Sequence, residues 1–341
     1  MNDIKTHRRM LQTELFPGGI PHLWCPTLTH FQAAHTADPK RIKAHLATLA
    51  PHVKGILVPG STGEGWEMTD RDIHALLEII LDAAAMAGIR VLIGMLKTST
   101  DEVLACLDGL EPLRTHPAVV GVTICPPKGS DLSQQALFDG LAQVLTRGWP
   151  TALYQLPQVT QNELAPETVA ALVTEFANVI LFKDTSGEDR VAQSGLDFGG
   201  VFLVRGAEKG GYAPWPRTNG GPYDGFLLST ANVFAPELSK MLQLLDSGER
   251  AAAEALSQKL ETVVSAAFVL VAEFPHGNAF ANANKVLDHC RAYGDDALAI
   301  EPPLLYSGAR LPQAFITDGV ALLRAHGLLA EKGYLASSRG S

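Results

Sequence analysis

Lys183 follows the apolar run Val179-Ile180-Leu181-Phe182 and precedes Asp184-Thr185-Ser186-Gly187. A lysine at the end of a buried strand loses hydration, so its pKa falls and part of the amine is a free nucleophile near neutral pH. Such an amine forms a Schiff base with a carbonyl substrate. Tyr154 ends a second apolar run, in Ala152-Leu153-Tyr154-Gln155-Leu156-Pro157. A phenol beside that amine can move protons during carbinolamine formation and dehydration, and again at a substrate hydroxyl when a carbon–carbon bond breaks or forms. The third group is the turn Pro59-Gly60-Ser61-Thr62-Gly63-Glu64-Gly65. Its glycines, Gly63 among them, let backbone N–H groups approach a ligand, and its hydroxyls can bind a carboxylate. Taken singly, each has an ordinary reading as well: a solvated lysine, a tyrosine satisfied by a carbonyl, a common glycine-rich turn. The chemistry depends on the fold bringing the three together.

Eight short β-rich runs alternate with longer stretches of helical periodicity, the pattern of a parallel sheet built from βα units. The strands are expected at about Ile20–Pro26, Gly55–Val58, Arg90–Met95, Val119–Cys125, Thr151–Tyr154, Val179–Phe182, Val201–Arg205 and Asp224–Ser229. Helices are expected between them at Pro39–Leu49, Thr69–Ala87, Thr100–Arg114, Ser133–Thr146, Pro166–Phe176 and Glu188–Leu196. Further ones follow at Pro236–Asp246, Glu249–Phe274, Asn278–Tyr293 and Pro312–His326. The expectation is an α/β fold, a (β/α)8 TIM barrel with a C-terminal helical extension. It divides into a lead-in over residues 1–19, a catalytic barrel over 20–233, and the last barrel helix with the helical region over 234–341. In such a barrel the C-terminal strand ends meet at one mouth, and Ser61-Thr62, Tyr154 and Lys183 all follow or end strands there. Between the last two strands, Ala207–Pro222 holds too many glycines and prolines for a regular helix, so a loop at the same mouth is expected. Its Tyr212 and Trp215 either cover the site or pack the loop onto the barrel.

Composition excludes several classes. The chain of 341 residues is 46% hydrophobic and 18% charged, with a net charge of −9 from scattered acids, which argues against nucleic-acid or anionic-membrane partners. No apolar stretch has the length of a signal peptide or a membrane span, so a cytoplasmic protein is expected. The four cysteines, Cys25, Cys106, Cys125 and Cys290, stand far apart, and the eleven histidines form no His-Glu-x-x-His arrangement; neither a metal site nor a disulfide framework is expected. Asn219-Gly220-Gly221 lies where barrels often hold phosphate, but Ser229-Thr230-Ala231-Asn232 offers no glycine-rich turn into a helix.

In order, Gly-Ser-Thr-Gly-Glu, Tyr-x-x-Pro and Phe-Lys-Asp-Thr-Ser-Gly resemble the dihydrodipicolinate synthase and N-acetylneuraminate lyase family of class I aldolases. The resemblance runs from about Ile20 to His326. It includes Pro26-Thr27, Ser229-Thr230-Ala231-Asn232-Val233 and Pro302-Pro303-Leu304. It implies a barrel assembled as a homotetramer, a dimer of dimers, that needs no cofactor and takes pyruvate or another 2-oxo acid. Lys183 would be the Schiff-base lysine and Tyr154 the proton-transfer residue. Ser61 and Thr62 would hold the 2-oxo acid carboxylate, with Thr62 linked to Tyr154 in a relay. Gly206, Glu208, Lys209 and Ser229 fall on substrate-binding positions, where sialate lyases have acids gripping sugar hydroxyls; Lys209 is expected to meet a distal anion instead.

Departures from the family pattern narrow the chemistry. Where dihydrodipicolinate synthases carry an arginine five residues after the tyrosine, this chain has Val159. After the fourth strand it reads Cys125-Pro126-Pro127 with no tyrosine. The expectation is therefore a Schiff-base lyase of a 2-oxo acid with pyruvate as product or co-substrate, and not a true dihydrodipicolinate synthase. Two other readings stay open: a Schiff-base dehydratase or hydratase-aldolase of a 3-deoxy-2-oxo sugar acid or unsaturated pyruvate, and a barrel that only binds 2-oxo acids.

Overall fold

The structure, a computed structural model, describes residues 2–335. Along the chain run α1 (Asn2–Leu15), β1 (Leu23–Pro26), the hairpin strands β2 (Phe31–Ala33) and β3 (Thr36–Ala37), α2 (Pro39–Leu49), β4 (Gly55–Val58), α3 (Asp70–Met86), β5 (Arg90–Met95), α4 (Thr100–Leu110), β6 (Val119–Ile124), α5 (Gln134–Leu145) and β7 (Thr151–Gln155). Then follow α6 (Pro157–Thr160), α7 (Pro166–Glu175), β8 (Val179–Asp184), α8 (Arg190–Gln193), β9 (Phe202–Arg205), β10 (Gly225–Leu227), α9 (Ala231–Asp246), α10 (Arg250–Val271), α11 (Ala279–Tyr293) and α12 (Gln313–Ala325). Strands β1, β4–β10 pair in parallel and close on themselves, β10 returning to β1, so the eight-stranded barrel with C-terminal helices is present. No helix of the described residues is long and apolar enough to cross a membrane.

Because side chains alternate along a strand, every second residue enters the barrel. The interior is filled by one residue from each strand, Trp24, Leu57, Leu92, Val120, Ala152, Leu181, Val204 and Leu227. Two residues further along their strands, Tyr154 and Lys183 must therefore also point inward, at the C-terminal end. The opposite end is closed by α1, whose Arg8 guanidinium donates to the carbonyls of Val179, Gly199 and Phe176 at the base of the Lys183 strand. The basic stretch near the start of the chain is therefore a helix that plugs the barrel, where the sequence suggests only a lead-in.

Helix starts follow their caps. Thr69 and Ser99 form capping boxes with Asp72 and Glu102, and Asp38 and Asn278 cap α2 and α11. The helix expected over Glu188–Leu196 shrinks to the single turn α8. Asp189 there takes a positive φ of 55° and spends its carboxylate on Arg205, which leaves no cap for a longer helix. The helix expected from Pro236 begins earlier, at Ala231, and carries an irregular residue at Phe234 just ahead of the proline.

Candidate active site

Strands β7 and β8 pair in a register that sets Tyr154 directly opposite Lys183. Both side chains are buried, and Lys183 Nζ lies 3.9 Å from the centroid of the Tyr154 ring. The amine thus sits over the ring face, which leaves the phenolic oxygen beyond it to meet a substrate oxygen. Burial strips water from Lys183 and lowers its pKa from 10.5 to about 7. The same burial raises that of Tyr154 above its ordinary value, so the phenol stays protonated. Gly206, at the end of the next strand, is required by closeness: a Cβ there would come within 2.8 Å of Lys183 Cε and 2.4 Å of Thr185 Oγ1.

A pKa near 7 carries a direct consequence. At pH 7 about half the Lys183 side chains hold a free amine, against roughly one in 3,000 for a lysine titrating at 10.5. The rate of Schiff-base formation is expected to rise through pH 7 and level off above pH 8. A rate still climbing at pH 9 would show that the amine is not depressed.

Beside this pair stands the β4 turn. Ser61 Oγ is 3.4 Å from the Tyr154 hydroxyl and accepts a 2.8 Å hydrogen bond from Trp66 Nε1, which orients it. Thr62 is buried next to it but makes no hydrogen bond to Tyr154. The Gly63 and Gly65 N–H groups are consumed within the turn, both donating to Gly60 O. Among the described residues the backbone N–H groups of Ser61 and Thr62 have no acceptor, and they remain available to an anion. Glycine at 63 serves close packing, since a Cβ would approach Thr27 O to 2.6 Å.

The turn is held from the C-terminal region. Asn278 caps α11 with its side-chain oxygen while its amide donates to Ser61 O at 3.0 Å. Glu64, with φ 61°, accepts from Tyr306 N and forms a buried ion pair with Lys285 of α11. Glu64 is thus a tether for the helical extension, and neither Trp66, Asn278 nor Lys285 stands out in the sequence. Removing one partner of a buried ion pair leaves the other charge unpaired, which costs about 3–5 kcal/mol. Lys285→Met is expected to lower stability by that amount, read as a fall in the urea midpoint; an unchanged midpoint would contradict the tether.

At the far side of the mouth, the connection between β9 and β10 is mostly loop, and it is ordered. Arg205 pairs with Asp189 through two bonds of 2.9 and 3.1 Å and donates to Ala207 O and Lys209 O, while its face stacks on Trp215 at 3.7 Å. Tyr212 is fully buried, so these aromatics pack the loop and do not cover the site. The Glu208 carboxylate accepts four bonds: from Ser229 Oγ (2.6 Å), Thr230 N (3.1 Å), Thr230 Oγ1 (2.8 Å) and Tyr212 Oη (3.0 Å). Lys209 is exposed and makes no ion pair among the described residues. Behind Tyr154 an apolar cluster of Leu96, Cys125 and Leu156 is joined by Trp66 and Val159.

Known proteins share both sequence and shape with this chain. The 4-hydroxy-tetrahydrodipicolinate synthase of Agrobacterium fabrum strain C58 is 28% identical over 235 residues, covering 67% of this chain and 74% of its own length. The enzyme of the same name from Prochlorococcus marinus strain MIT 9303 is 29% identical over 224 residues, 65% of this chain and 71% of its own. Among solved structures, a prophage protein of the dihydrodipicolinic acid synthase family from E. coli K12, in complex with pyruvate, superimposes with a TM-score of 0.72 at 20% identity. That match covers 90% of this chain and 98% of the other. The profile of the dihydrodipicolinate synthetase family matches residues 23–291, nearly the whole barrel and the helices that tether the β4 turn, and the chain belongs to that family.

Proposed function

We propose that this protein is a class I lyase that cleaves or forms a carbon–carbon bond next to a 2-oxo acid, with pyruvate as product or co-substrate. One observation carries the reading: a buried amine with a pKa near 7 lies 3.9 Å over the ring of the tyrosine opposite it in the barrel. Lys183 attacks the C2 carbonyl of the 2-oxo acid, and the resulting carbinolamine loses water to give the imine. Tyr154 gives its proton to the hydroxyl that leaves as water; in the cleavage direction the phenolate so formed takes the proton of the 4-hydroxyl, the C3–C4 pair moves into the protonated imine, and an aldehyde leaves. The enamine gains a proton at C3, and water releases pyruvate and the free amine. The Ser61 hydroxyl and the open N–H groups of Ser61 and Thr62 would hold the carboxylate. A tetrameric assembly belongs to the same proposal and is read from the mass in solution.

Val159 supports a substrate other than that of the synthases, since it belongs to an apolar cluster and offers nothing to a second carboxylate. Lys209 is assigned to a distal anion. Lys209→Ala is expected to raise KM about tenfold or more for substrates with a second anionic group, on the scale of a lost charged hydrogen bond. An unchanged KM across all substrates would remove that role. A panel of 2-oxo acids tests the activity itself. Pyruvate plus an aldehyde indicates cleavage, loss of water alone indicates a dehydratase on the same imine, and no turnover of any member would contradict the proposal.

A further inference from the structure

At the C-terminal end of the barrel lies a cavity of about 370 Å³ whose inner rim is Thr185, Ser186 and Gly187 after β8 and Ala207, Glu208 and Lys209 after β9. Lys183 stands two residues before the first rim and Gly206 directly before the second, so the cavity lies beside the buried amine. Its outer wall comes from the helical extension: Val264, Phe268 and Val269 of α10, with Phe280 of α11. Phe268 and Phe280 meet edge to face with centroids 5.5 Å apart, and both remain half-buried. Val269 is 76% exposed, the second most exposed large apolar side chain among the described residues. Apolar area of this kind gains from being covered, and a ring laid against an aromatic pair gains more than its area alone.

The carboxylate on the polar side of the same cavity is closed to hydroxyls. An ionised carboxylate accepts at about four positions, and Glu208 has filled that number from Ser229, Thr230 and Tyr212. Ser229, the other expected sugar contact, gives its proton to Glu208. A polyhydroxylated chain entering here would find no free carboxylate acceptor, only groups such as the Thr185 hydroxyl and the Lys209 ammonium at the rim, and each hydroxyl left unpaired against the α10–α11 wall counts against binding.

Resting on the Schiff-base reading above, we infer that the α10–α11 wall is the subsite for the aldehyde half of the substrate, and that it selects an aromatic or ring-sized apolar aldehyde over a polyhydroxylated one. In the condensation direction, C3 of the pyruvate enamine attacks the aldehyde carbon and the new C3–C4 bond forms. The aldehyde oxygen takes a proton from Tyr154, and water releases the 4-hydroxy-2-oxo acid from Lys183. The aldehyde substituent then points at Phe268 and Phe280.

The test is a condensation assay on the full-length protein with pyruvate and three aldehydes: benzaldehyde, cyclohexanecarboxaldehyde and glyceraldehyde. Borohydride trapping of the pyruvate adduct runs in parallel. The expected result is trapping on Lys183, with kcat/KM for the two ring aldehydes at least about tenfold above glyceraldehyde, the scale of discrimination by an apolar pocket. Phe268→Ala should shrink that ratio about tenfold and Phe268→Leu restore part of it; the wild-type panel decides the matter if the alanine variant does not fold. Trapping with glyceraldehyde equal or preferred would overturn the subsite and leave the Schiff-base reading standing, as would trapping with no aldehyde condensed. Absence of trapping would overturn both.

Discussion

Lys183→Ala is expected to lower turnover of the 2-oxo acid by at least about 10⁴-fold, the scale on which removal of a covalent nucleophile acts. The loss follows from two properties that no other residue of the mouth combines. Lys183 is a buried amine at the C-terminal end of the barrel beside Tyr154, and burial lowers its pKa to about 7. Arginine would not replace it, because a guanidinium stays protonated and forms no imine. The variant should stay folded, since deleting a desolvated amine removes an unfavourable burial while the strand pairing of β8 with β7 and β9 is unaffected. Steady-state kinetics together with a thermal melt measure this. Turnover within tenfold of wild type, in a folded variant, would mean that the chemistry does not pass through this amine.

Tyr154→Phe should reduce kcat by about 10²–10³-fold, the range for losing a positioned proton-transfer group. The phenyl ring still fills the cluster with Leu96, Cys125 and Leu156, so packing beneath the amine is retained. What disappears is the hydroxyl, which sits 3.4 Å from Ser61 and is kept protonated by burial. The pyruvate imine should still form, only more slowly, because Lys183 supplies the bond and Tyr154 the proton. Comparing the rate of imine formation with kcat separates this role from a structural one: both should fall while the melting temperature holds. A variant with wild-type kcat would show that water or Ser61 moves the proton.

The barrel was legible because its strands are continuous apolar runs between capped helices, and period-2 alternation alone carries Tyr154 and Lys183 to one level of the interior. Strand ends such as Asp184 and Gln155 were harder to place, since polar residues there continue the ladder where the apolar pattern stops. The helix α1 was missed because its core contacts are few, Arg8 with Leu11 and Leu15, and leave too short an apolar stripe to read. The support of the β4 turn was hidden for a different reason. Glu64, Lys285 and Asn278 are far apart in sequence, and polar residues on a helix read as solvent-facing until the fold shows the helix buried. Glu208 shows the converse limit. Its type and position suggest a ligand contact, but only the bonds from Ser229, Thr230 and Tyr212 reveal that its acceptors are filled.

Reduction with borohydride in the presence of pyruvate, followed by peptide mass mapping, tests the central claim most directly. The account predicts one stable adduct, on the peptide that contains Lys183, formed with a half-rise near pH 7 and absent from Lys183→Ala. No adduct on the wild-type protein, or an adduct on a different lysine, would contradict it.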